Sequence, residues 1–392
     1  MKNKNIIVIT FLCSIFAFSQ DELIAKLKDN KSNNAKFQFT IVKDIQRTSV
    51  KNQGSSGTCW SYSGSSFLES EMIKAGKQPI DLSEIFTARQ SYLDKAQLHV
   101  LMDGYVRWGD GGELHDVINM FMKYGAIPQT NYSGLLNGAT KNNFNAMQKE
   151  LKSYLDSLVT NSRKGKISTD WKTIFNKKLD KYLGEVPKEF MYNGKYYNPQ
   201  SFAKEVVGIN PDHYINVTNY SDHALYKEFV FPVPDNWAFE KIWNVKMTDL
   251  TDIVDNAINL GYTVAWATDV SEPYFSWNNG VAYVPDIDLD NVTPAMIEEI
   301  FSEPKKDKMI TEKMRQDALN TLETTDDHGM QIVGLAKDQS GKEYYIVKNS
   351  WGESNDYKGY LFVSKPYLQY KTTAILVNKK ALPKNIASKI VK

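Results

Sequence analysis

Gln53-Gly54-Ser55-Ser56-Gly57-Thr58-Cys59-Trp60-Ser61-Tyr62-Ser63 is the stretch on which the reading of this 392-residue chain turns. Just downstream, Tyr62 to Ala75 sets Phe67, Glu71 and Lys74 among small residues at helical spacing and stops at Gly76, as a helix end does. Cys59 therefore stands at the start of a helix, where unpaired N–H groups and the helix dipole favour an anion. The thiolate is the nucleophilic form of cysteine. A helix N-terminus and a neighbouring imidazolium both pull the thiol below its usual pKa of about 8.5. The pattern thus predicts an activated Cys59, against the plainer reading of a small buried hydrophobe.

The rest of the composition sharpens this. The only other cysteine is Cys13, so a disulfide framework or a multi-cysteine zinc site has no partners to draw on. Lys plus Arg number 47 against 46 Asp plus Glu, which excludes the polycationic surface that phosphate-dominated nucleic-acid binding requires. Lys2 and Lys4 precede an apolar run from Ile6 to Phe18, and Ala17-Phe18-Ser19 supplies small residues where a signal peptidase reads. An apolar run of about 13 residues cannot span roughly 30 Å of hydrocarbon, so residues 1–19 read as a signal peptide and not a membrane anchor. Cleavage before Gln20 takes Cys13 away and leaves 45 basic against 46 acidic residues. The expected protein is exported, periplasmic or extracellular and of bacterial source, with one thiol and no stable membrane anchor.

Helices are expected at Leu82–Leu93 and Glu113–Tyr124, separated by the flexible Gly109-Asp110-Gly111-Gly112. From about 131 to 243 the character changes. Phe144, Met147, Leu151, Leu155 and Leu158 recur at threes and fours, and residues 171–183 repeat the habit, so this stretch reads as an inserted helical subdomain. Beyond it lie strand-like runs at 263–267, 281–284, 330–335, 343–347, 359–363 and 373–377. Helices first and strands later point to an α+β fold across 20–392.

A nucleophilic cysteine needs a base, and the base needs an orienting group to fix its tautomer. Of the five histidines, His328 stands at the leading edge of the apolar run Gly329–Gly334, and Asn349 follows another strand after a turn. His115, His213 and His223 show no metal-ligand spacing. Gln53 to Ser63, Asp327-His328-Gly329 and Asn349-Ser350-Trp351-Gly352, with Asp110-Gly111-Gly112 between the first two, resemble the signature blocks of papain-like cysteine peptidases in chain order.

That resemblance implies a two-lobed fold, with a helical lobe and an antiparallel, barrel-like β lobe. It also implies a role for each matching position. Cys59 would be the nucleophile, His328 its base and then acid, and Asn349 the orienter. Gln53 would donate to the oxyanion beside the backbone N–H of Cys59. Trp351 would shield the His328–Asn349 bond, and Gly111 and Gly112 would let a peptide lie against the backbone, with Asp327 flanking the same cleft. Secreted papain-like enzymes carry disulfides and a long pro-segment, which this chain lacks. The helical insertion, and residues 261–270 and 344–353, are similar to the bleomycin hydrolase and bacterial aminopeptidase C branch instead. In that branch the C-terminal tail enters the cleft and offers a carboxylate to the substrate's amine, and the chains assemble as hexamers.

The resemblance implies a peptide or unfolded-protein substrate, a thiol protease acting as an aminopeptidase, and no cofactor or metal. Three alternatives stay open at this point: a secreted endopeptidase, a peptide-binding protein of the same fold, and an acyl transferase using the same covalent intermediate.

Overall fold

The helix expected after Cys59 runs Cys59–Lys74 in the computed structural model, which describes residues 20–27, 29–288 and 291–391. Residues 1–19, where the signal peptide is expected, lie outside the described residues. The helix is buried from Trp60 to Met72, which explains its composition. A helix enclosed on nearly all sides has no polar stripe, and its serines and glycine let neighbours approach closely. A Cβ on Gly64 would overlap Val117 of the helix Leu114–Tyr124. Serine hydroxyls are satisfied locally or across the interface, Ser61 donating to Glu84 O at 2.7 Å and Ser66 to Gln331 Oε1 at 2.7 Å.

Around this helix stands the helical lobe. Glu84–Leu101 is capped by Ser83, whose Oγ accepts from Phe86 N–H at 3.0 Å, and Leu114–Tyr124 stops at Gly125 with φ 83°. Asn145–Ser162 buries Met147, Leu151, Leu155 and Leu158, and Trp171–Leu183 buries Trp171, Phe175, Leu179 and Leu183. These residues join Phe67, Met72, Ile85, Phe86 and Tyr92 in one core.

The other lobe is a mixed, largely antiparallel sheet of eleven strands among the described residues. Its centre is the eleven-residue strand His328–Asp338. Its first half pairs with Val264–Thr268, its second half with Phe39–Asp44, and Glu343–Lys348 lies along its other side. An irregularity between Ile332 and Gly334 bends the strand so that one chain segment serves two neighbours, giving the barrel-like curl. Trp266, Met330, Ile332, Tyr345 and Leu361 form the second core with the helix Met247–Asn259. This is the papain-like α+β fold.

In the stretch 131–243 the long helices end at Leu183, and only short helical turns at Pro199–Phe202, Ala203–Val207 and Pro211–His213 follow. Beyond Leu183, Phe190–Tyr192 and Lys195–Tyr197 form a hairpin, and Tyr214–Thr218, Glu228–Val230 and Lys241–Asn244 extend the main sheet past Thr372–Asn378. These strands are three to five residues long, too short for a period-2 signal to outweigh the preceding helical pattern. Among the described residues no helix is long and apolar enough to cross a membrane.

Candidate active site

Cys59 and His328 meet where the two lobes join, on the wall of a cavity of about 380 Å³. Cys59 opens its helix and His328 opens the central strand, so the seam between helix and strand sets their approach. Gly329 makes that seam tight. A Cβ there would lie 2.8 Å from Ser63 Oγ and 3.3 Å from Trp60 Cα.

His328 Nε2 is 2.7 Å from Asn349 Oδ1, and Asn349 Oδ1 also accepts from Ser350 N–H at 2.7 Å. With Nε2 engaged on an acceptor, the imidazole carries its proton there and leaves the Nδ1 lone pair free. The Trp351 ring centroid stands 4.5 Å from that of His328, itself backed by Trp277 at 5.2 Å, so both imidazole and amide are buried under aromatic cover.

Burial pushes the Cys59 thiol up to about 12, and the negative field of Asp326 and Asp235 adds to this against the lowering by Gly329 N–H. Burial also pulls His328 down to about 4, with the Asn349 bond and Asp327 opposing. Desolvation therefore acts on both groups against their charged forms, opposing the pull of the helix end on the thiol.

Gln53 lies behind the cavity wall. Its Nε2 donates to Ser56 O at 2.7 Å and its Oε1 accepts from Ser350 Oγ at 2.6 Å. Gln53 N–H donates to Ser350 O and Gly352 N–H to Lys51 O, so the segment before the cysteine is zipped to the asparagine loop. The Asp110-Gly111-Gly112 block docks on the same segment: Asp110 Oδ2 accepts from Gly57 N–H and Asp110 O from Trp60 Nε1–H, each at 2.9 Å.

The room expected above Gly111 is filled. A Cβ there would overlap the carboxylate of Asp235, which the insertion delivers onto this glycine, and one on Gly112 would press on Trp60 and Asp116. Asp327 lines the cavity with Asp326, and its Oδ1 accepts from Thr325 Oγ1 at 2.7 Å. Asp326, Glu113 and Asp235 were not legible as site residues. Asp326 was visible only as the acid before Asp327, and nothing local marks Asp235, brought to the cleft by a contact across more than a hundred residues.

Among the described residues, the tail lines no part of this cavity. Lys384–Ile390 is a helix whose Ile386 and Ile390 are buried in the sheet-side core, and no residue beyond Gly329 lines the cavity among the described residues. The carboxylates of Glu69, Asp81 and Glu84 lie close enough to hold a cation, but the Lys51 ammonium already sits among them, bonded to Asp81 and to Glu84.

The sequence model of the Peptidase C1-like family matches residues 77–392, downstream of Cys59 but including His328 and Asn349. Aminopeptidase W of Lactobacillus delbrueckii subsp. lactis is 23% identical, the match covering 91% of this chain and 87% of that protein. Aminopeptidase G of the same organism is 25% identical over 87% of this chain and 83% of its own. A crystal structure of PepW from Lactobacillus rhamnosis superposes with a TM-score of 0.70 at 19% identity, covering 94% of this chain and 90% of that one.

Proposed function

Because the chain belongs to the Peptidase C1-like family and is a cysteine peptidase, we propose that it acts as an aminopeptidase through Cys59, His328 and Asn349 and a covalent acyl-enzyme. The observation that carries the triad is the 2.7 Å bond from His328 to Asn349 on the cavity wall that also holds Cys59. The named aminopeptidases among the relatives support the exopeptidase reading.

The thiol proton passes to His328 Nδ1 as the sulfur attacks the scissile carbonyl, so no free thiolate is needed at rest. The oxyanion forms beside the backbone N–H of Cys59, with the second N–H of the Gln53 amide as a further donor if it turns to the wall. Collapse expels the amine, which takes the proton from the imidazolium. Water then gives a proton to His328 and attacks the thioester, and the thiol regains its proton as the acid leaves. Trp351 keeps water from competing for the Asn349 amide throughout. Export through residues 1–19 and assembly into hexamers belong to the same proposal, read by N-terminal sequencing of secreted protein and by light scattering.

The test pairs chemistry with turnover. An epoxysuccinyl peptide is expected to label Cys59 in native protein and to lose that reaction in His328→Ala, while aminoacyl coumarin amides are hydrolysed. Absence of labelling in folded protein would favour a peptide binder, and transfer to added amines in preference to water would favour an acyl transferase.

A further inference from the structure

An aminopeptidase must hold an ammonium at a fixed distance from its nucleophile, and among the described residues the tail helix Lys384–Ile390 packs on the sheet-side core and lines no part of the cavity. The cavity wall instead carries three carboxyls, Glu113, Asp235 and Asp326, of which Glu113 and Asp326 face each other and burial with the Asp326 charge holds Glu113 well above the usual carboxylate range. Glu113 is 2% exposed and lines the cavity, yet its Oε1 meets no hydrogen-bond donor among the described residues. Its neighbour is the carboxyl of Asp326, which accepts from Thr373 Oγ1 at 2.6 Å. Two carboxyls turned toward each other in a buried wall are unfavourable unless a proton or a cation lies between them.

Asp235 lines the same cavity and adds its charge to that of the pair. Its carboxylate is seated on Gly111, the position where an extended peptide would otherwise continue along the wall. Its nearest side-chain cation, Arg107, stands 3.7 Å away and is one-third exposed. The buried Lys95 ammonium is turned to the backbone carbonyls of Gly109 and Gly111.

We infer that Asp235, Asp326 and Glu113 together bind the α-ammonium of the peptide substrate, and that Asp235 on Gly111 closes the cleft beyond the substrate's first residue. This rests on the aminopeptidase reading and supplies the anchor that the tail does not. The position also links recognition to reactivity: Asp235 and Asp326 are the carboxylates whose field raises the Cys59 thiol, so an ammonium placed between them offsets that field as the substrate arrives. Each is a specificity residue, acting on the substrate's amine and not on the reacting carbonyl.

The experiment compares alanyl-coumarin amide with its N-acetyl form on wild type, Asp235→Asn, Glu113→Gln and a deletion of residues 390–392. Wild type is expected to prefer the free amine. Asp235→Asn should lower kcat/KM for that substrate about 10- to 100-fold relative to the acetylated one, mainly through KM, as loss of a charge-assisted contact does. Glu113→Gln should narrow the preference in the same direction, and the tail deletion should retain it. Cooperative thermal unfolding at the wild-type temperature shows that the variants are folded. A preference kept in both acidic-residue variants, or abolished by the tail deletion, overturns the anchor while leaving the aminopeptidase reading in place. Equal cleavage of both substrates by wild type overturns both.

Discussion

Replacing Asn349 by alanine removes the acceptor 2.7 Å from His328 Nε2 and the one 2.7 Å from Ser350 N–H. Both donors are buried beneath Trp351 and Trp277, where water cannot take the place of the lost oxygen without moving an indole. A buried donor left without an acceptor costs about 1–3 kcal/mol. If the imidazole proton is held on Nε2 by this bond alone, the full amount appears in the barrier, since a ring turned or tautomerised away offers no lone pair to the thiol. At about 1.4 kcal/mol per tenfold, kcat should fall roughly 5- to 150-fold, with KM little changed because Asn349 does not line the cavity. The assay is steady-state hydrolysis of alanyl-coumarin amide, together with the rate of iodoacetamide reaction at Cys59. Asn349→Asp supplies the sign: a carboxylate at the same distance raises His328 from about 4, so the thiolate–imidazolium pair gains ground and alkylation at neutral pH speeds up. A folded Asn349→Ala enzyme with kcat within twofold of wild type would refute the assignment of Asn349 as the orienting group.

Other perturbations test other parts of the site. Gly329→Ala should lower kcat by at least about tenfold, because the added methyl meets Ser63 Oγ at 2.8 Å and prises the strand from the helix that carries Cys59; Ser63→Ala in the same chain should recover part of the loss, as coupled neighbours do. Ile386→Ala should destabilise the protein by about 2–5 kcal/mol in denaturant unfolding without altering free-amine preference, since its side chain is wholly buried in the sheet-side core. In the free enzyme, burial raises Asp326 to about 6 and lowers His328 to about 4. As pH falls, Asp326 takes up a proton first and loses its hold on an ammonium, so kcat/KM for a free-amine peptide should decline near pH 6 and that for an acetylated one only near pH 4. Coincident acid limbs would show that Asp326 does not meet the amine.

The helix behind Cys59, the helices at 145–162 and 171–183 and the central strand after His328 were legible because each carries a local signal: a stop at glycine, apolar residues at threes and fours, or an unbroken apolar run. Cys59, His328, Asn349 and Trp351 were legible as blocks of neighbouring residue types, and the fold brings them together as that reading expected. The short strands between 190 and 244 were not, since three to five residues hold too few alternations to declare a period.

The sequence by itself picked out Cys59, His328 and Asn349 as the residues proposed for nucleophile, base and orienting amide, because those roles depend on residue type at fixed spacing from helix and strand starts. It could not determine how the thiol titrates. That depends on desolvation by the surrounding fold, which pushes the thiol up against the pull of the helix end. Nor could it place a carboxylate from residue 235 on a glycine at 111, or send the tail into the sheet-side core. Those are decided by packing across a hundred residues and more, where no local pattern reaches, and they set what the cleft accepts.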